Sequence, residues 1–91
     1  MRARAHVGFR GLVQGVYFRA NCRQDALARG LTGWVRNRPD GAVEAVFEGE
    51  REAILAAIEW NRASQPTARV SRTDVDWSAP TGEFPTFEIR R

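Results

Sequence analysis

The chain has 91 residues, 43% of them hydrophobic, enough for a single domain over residues 1–91 with one small core and too little for a second. Its one cysteine, Cys22, excludes an internal disulfide, so packing must hold the fold and the cytoplasm is the expected compartment. The net charge is +3 with all 14 basic residues arginine, which favours anionic partners; no apolar run nears the roughly 20 residues of a membrane helix, so no membrane partner is expected.

Residues 4–11 alternate, with Ala5, Val7 and Phe9 against His6, Gly8 and Arg10, the period of a half-buried strand. Arginines precede the first acid, Asp25, but the segment lacks serine and is patterned as strand, so neither a transit nor a signal peptide is expected. The spacing of Phe18, Cys22, Ala26 and Leu27 predicts a helix over 19–29, ended by Gly30. Residues 31–37 are rich in β-formers, and Arg38-Pro39-Asp40-Gly41 signals a hairpin into a third strand over 42–48. That strand directs Val43, Ala45 and Phe47 inward and leaves Glu44, Val46 and Glu48 on the outer face. A second helix over about 50–62 carries Ile54, Leu55, Ile58 and Asn61 on one side, with Glu50 and Glu52 where the helix dipole favours acids.

Gln65-Pro66 stops that helix. Over 68–77 the apolar parity moves from Ala68 and Val70 to Val75 and Trp77, which predicts a bulge near residues 71–73. A turn at 79–82 leads to a short strand over 86–90 with Phe87 and Ile89 inward. The order βαββαβ plus a terminal strand is the split βαβ, ferredoxin-like arrangement. It is an α+β fold in which two helices cover one face of an antiparallel sheet and the first and third strands are central.

Glycines bracket Leu12 to Gln14 between the first strand and the helix, a layout that builds an anion cradle from backbone N–H groups and equally builds an ordinary turn. Arg19 lies at the helix mouth, where a guanidinium can form paired hydrogen bonds to phosphoryl oxygens. Asn37 precedes a turn. It can cap the backbone there, or it can position a water, because its amide offers both a donor and an acceptor. His6 is the only histidine and reads as structural. Cys22 lacks the arginine that a cysteine phosphatase needs, since Ala28 stands at that spacing, and it reads as a core residue. Asp74 and Asp76 share a strand face without a third ligand and read as solvated, while Trp34 and Trp77 read as core or rim packing.

The run Gly11-Leu12-Val13-Gln14-Gly15-Val16-Tyr17-Phe18-Arg19, followed by Gly30-Leu31-Thr32-Gly33-Trp34-Val35-Arg36-Asn37 and Asp40-Gly41-Ala42-Val43-Glu44, closely resembles the acylphosphatases, enzymes that hydrolyse carboxyl-phosphate anhydrides. Ala68-Arg69-Val70 and Phe87-Glu88-Ile89 match the family's last strands, so the resemblance spans nearly the whole chain. It implies that the phosphoryl group is bound by Gln14, Gly15, Val16, Tyr17, Phe18 and Arg19, that Arg19 and Asn37 are catalytic, and that Asn37 orients the water. It further implies a small acyl phosphate as substrate, with no metal and no cofactor, and a monomer is expected. One departure is Gln65 before Pro66, where the family usually has glycine; a local loop difference without loss of chemistry is expected there. The same fold order serves RNA-binding domains, but Glu44 and Glu48 on the outer sheet face would repel phosphates, so no nucleic acid partner is expected.

Overall fold

A computed structural model describes all 91 residues. In chain order the elements are β1 (Arg2–Leu12), α1 (Phe18–Ala28), β2 (Thr32–Asn37), β3 (Val43–Glu50), α2 (Arg51–Ala63), β4 (Arg69–Ser78) and β5 (Phe87–Arg90). They form one five-stranded sheet in the order β4-β1-β3-β2-β5, with β3 in the middle and β1 beside it. Three of the four pairings are antiparallel, whereas β5 runs parallel to β2, so the sheet is mixed and the all-antiparallel expectation is corrected. The cause is where the last connection enters. Ser78 ends β4 opposite Arg4, at the end of the sheet where β2 begins, so a strand arriving from there must run in the direction of β2. A hydrogen bond from the Gly33 amide to the Thr86 carbonyl, 3.0 Å long, sets that register.

Alternation on β1 buries Ala3, Ala5, Val7 and Phe9 on the helix-covered face, joined by Val35, Val43, Ala45, Phe47 and Phe87 from the other strands. Phe18, Cys22 and Ala26 of α1 and Ile54, Ala57 and Ile58 of α2 pack down on them. Leu55 was expected inward, yet it is 46% exposed. One residue past Ile54 is about 100° of helical rotation, which carries Leu55 off the stripe that Ala57 and Ile58 complete. The end of α1 is closed by the Gly30 amide donating to the Leu27 carbonyl (3.1 Å) and the Leu31 amide to that of Ala26 (3.0 Å), which seats Leu31 in the core.

The predicted bulge is present: Arg10 pairs with Arg72 but Gly11 with Val70, leaving Ser71 as the extra residue. At Gly11 a Cβ would fall 2.2 Å from the Arg69 carbonyl oxygen, so only glycine fits where β1 leaves the sheet for the loop.

The outer face of β3 differs from expectation, because Glu44 and Glu48 are buried and paired. Glu44 is engaged by His6 and by Arg36 Nε (2.7 Å). The Glu48 carboxylate accepts from the Thr81 and Gly82 amides (3.0 and 2.9 Å) and from Arg4 (3.0 Å). The 79–86 segment therefore lies over this end of the sheet, anchored on a buried charge. Trp34 sits on the same outer face between the guanidinium groups of Arg36 and Arg90, 5.3 and 5.1 Å from its ring.

Candidate active site

The loop between β1 and α1 carries two residues with left-handed backbone, Gly15 (φ 75°) and Tyr17 (φ 60°, ψ 22°). Left-handed residues spaced through a short loop turn successive N–H groups toward one side, which makes a concave cradle for an anion. Glycine accepts that φ at no steric cost, whereas Tyr17, 80% exposed, is strained. Tyr17 also occupies the position that caps α1, with no side-chain hydrogen bond and no acid in the first turn. The first intrahelical bond runs from the Asn21 amide to the Tyr17 carbonyl, 3.1 Å, so the amides of Phe18, Arg19 and Ala20 remain outside the helical ladder at its positive end.

A cleft of about 390 Å³ opens at this helix terminus. Of the residues singled out in the sequence, Gly15, Tyr17, Phe18, Arg19 and Asn37 line it; Gln14 and Val16 do not. Gln14 turns its side chain behind the loop, donating to the carbonyls of Arg38 (2.8 Å) and Ala42 (2.9 Å), and so ties the cradle to the β2–β3 hairpin that carries Asn37. Val16 packs on the core. Arg19 is half-buried and forms no ion pair, unlike nearby Arg10 and Arg38, which both reach Asp40. The Ala42 amide, with help from Arg10 and Arg38, holds the Asp40 carboxyl below its ordinary range, keeping it an anion that fixes the hairpin.

Four lining residues were not singled out for the site in the sequence: Val13, Ala20, Ile89, which was expected in the core but is 36% exposed, and Arg91. The last two arrive because β5 is parallel to β2, which brings its C-terminal end beside Asn37. Their shared parity with Phe87 was the available signal, but without the strand's direction it did not point to the cleft.

His6 and Cys22 stand apart from the cleft, as the sequence reading had them. His6 engages Glu44, and burial pushes the Cys22 thiol well above its ordinary pKa. Asp74 and Asp76 are exposed. No group of three or more His, Cys, Asp or Glu side chains is placed to hold a metal ion. The open N–H terminus of α1, the Arg19 guanidinium and the Asn37 carboxamide thus lie along one cleft.

The acylphosphatase family model matches residues 5–89. The acylphosphatase of Pelotomaculum thermopropionicum is 54% identical over 88 residues, covering 97% of this chain and 96% of its own length. Among solved structures, that of the Bacillus subtilis acylphosphatase superposes with a TM-score of 0.92 at 33% identity, with all of both chains covered. The Coxiella burnetii acylphosphatase gives 0.91 at 37% identity, covering 98% of this chain and 93% of the other. Sequence relatives and fold agree, and the chain belongs to the acylphosphatase family, whose activity is the hydrolysis of acyl phosphates.

Proposed function

We propose that the loop from Gln14 to Arg19 holds the phosphoryl group of a small acyl phosphate while Asn37 aligns the attacking water. The observation that carries this reading is the meeting, in one cleft, of an uncapped helix terminus, an unpaired Arg19 guanidinium and the Asn37 carboxamide. The N–H groups of residues 15–19 and the Arg19 guanidinium donate to the phosphoryl oxygens, with Gln14 and Val16 bracing the loop from behind. The water oxygen bonds to phosphorus as the bond from phosphorus to the acyl oxygen breaks. The carboxylate leaves with the electron pair, and the water's proton passes to the phosphate product or to solvent.

No acidic or histidine side chain lines the cleft, so nothing there serves as a strong general acid for the leaving group. A carboxylate needs none, because its conjugate acid has a pKa of about 4. Positioning and charge stabilisation are then sufficient, since phosphoryl transfer spreads negative charge over the oxygens that the cradle contacts. On this account neither a metal nor a cofactor takes part. One chain supplies every group the chemistry uses, so the working unit is a monomer. Its substrate is a small molecule and no nucleic acid is bound, because the Trp34 ring on the outer sheet face is already engaged by the Arg36 and Arg90 guanidiniums and is not free to stack on a base. The free, buried Cys22 suits the cytoplasm.

Purified protein mixed with an aromatic acyl phosphate in the presence of a chelator tests the reading. Phosphate release should far exceed the uncatalysed rate, be insensitive to chelator and be inhibited competitively by inorganic phosphate. Release no faster than the uncatalysed rate would sink the proposal, and release abolished by the chelator would overturn its metal-free part.

A further inference from the structure

We infer that Gln65 and Thr67, in the connection between α2 and β4, are positioning residues that aim the phosphate-binding amides of the cradle. The inference rests on the cradle reading above and adds what holds the cradle in shape. The Thr67 hydroxyl donates to the Val16 carbonyl at 2.6 Å. The Gln65 carboxamide donates to the Phe18 carbonyl at 3.1 Å and to Asn61 Oδ1 at 2.7 Å, and its oxygen accepts from Asn21 Nδ2 at 3.4 Å. Asn61 is anchored in turn on the Ala57 carbonyl of its own helix, 2.8 Å away. Gln65 and Asn61 are 6% and 1% exposed, so this is a buried polar chain running from α2 to the first turn of α1.

All peptide bonds here are trans, and in a trans peptide the C=O and the following N–H point in opposite directions. A bond that pins the Val16 carbonyl from behind therefore directs the Tyr17 N–H to the opposite side. Pinning the Phe18 carbonyl directs the Arg19 N–H in the same way. The two pinned peptides flank Tyr17, the one non-glycine residue in left-handed conformation, so the tethers hold the strained residue on which the concavity depends. Through these bonds the Gln65 side chain connects α2 to the loop that lines the cleft.

The test uses near-isosteric variants with inorganic phosphate as the probe. Thr67→Val and Gln65→Met remove the donors while nearly preserving size; Thr67→Ser keeps the hydroxyl. We expect Thr67→Val and Gln65→Met each to weaken competitive inhibition by phosphate and raise KM by the same factor, about 5- to 20-fold, with kcat changed much less. Thr67→Ser should stay within about twofold of wild type. A merely structural role would lower Tm and leave the phosphate inhibition constant alone when assayed well below Tm. Unchanged constants in both variants overturn the inference, and Thr67 is exposed, so Thr67→Val decides it even if Gln65→Met folds poorly. Arg19→Ala is measured in parallel: if it loses phosphate affinity while the two tether variants keep theirs, only the tethers are refuted. If Arg19→Ala also binds phosphate like wild type, the cradle reading falls and the tethers with it.

Discussion

At the scale of single residues, the proposed phosphate cradle depends on two left-handed backbones close together, Gly15 and Tyr17. Tyr17 bears the cost of a conformation that disfavours an L-residue by about 1–2 kcal/mol, a cost tolerated only where neighbours hold it. Gly15 avoids that cost. A Cβ added there would meet nothing within 4 Å, so replacement acts through the backbone alone. Gly15→Ala should destabilise the fold by about 1–2 kcal/mol and weaken phosphate binding, as the loop relaxes away from a positive φ. Urea denaturation and phosphate titration check this; a variant matching wild type in both would mean that the loop tolerates a different shape. Gly15, Arg19 and Asn37 line one cleft, yet spacing alone left an ordinary turn and a backbone cap open, and it was the resemblance to the acylphosphatases that singled these residues out. Gln14 was legible as important, but its side chain serves the hairpin carbonyls, a long-range contact that local spacing does not reveal.

At the scale of elements, the connection from β4 to β5 matters most. It lays residues 79–86 over the outer sheet face and anchors them on Glu48, which is wholly buried yet meets two amides, a hydroxyl and Arg4. Removing the carboxylate strands Arg4 and two amides, so Glu48→Ala should cost about 3 kcal/mol, the low end for breaking a buried pair, because Glu83 still reaches Arg4. Chemical denaturation measures it, and a loss below about 0.5 kcal/mol would show the anchor to be dispensable. The bulge at Ser71 was readable from the change in apolar parity along β4, since parity is a local property. The direction of β5 was not readable. It follows from which end of the sheet the chain re-enters, and it alone accounts for Ile89 and Arg91 reaching the cleft.

For the molecule as a whole, two carboxylates under the open sheet face link stability to pH. Burial raises the pKa of Glu44 and of Glu48, but their partners more than reverse it: His6 and Arg36 for Glu44, the Thr81 and Gly82 amides with Arg4 for Glu48. Both folded values lie below the unfolded one, about 4.3, so their stabilisation is complete above that pH and is lost as pH falls through the folded values. Unfolding free energy should therefore hold steady down to about pH 5 and drop steeply below about pH 4. Denaturation curves at successive pH values follow this, and a flat profile to pH 3 would contradict it. The sequence placed both glutamates on the outer face, where patterning by parity cannot tell a solvated acid from one with a partner arriving from a distant loop.

The central claim concerns Arg19 and Asn37, and one paired measurement tests it: phosphate affinity and turnover in Arg19→Ala, Arg19→Lys and Asn37→Ala, each with an unchanged circular dichroism spectrum. If Arg19 touches the phosphoryl oxygens in bound substrate and transition state alike, as proposed, Arg19→Ala should lose phosphate affinity and turnover together. Lysine should not rescue it, for an ammonium cannot make the paired contact. If Asn37 touches the water and not the phosphate, as proposed, Asn37→Ala should bind phosphate like wild type while turnover falls by about 10²- to 10³-fold. An Asn37→Ala protein that keeps most of its turnover, or an Arg19→Ala protein that binds phosphate undiminished, would contradict the account.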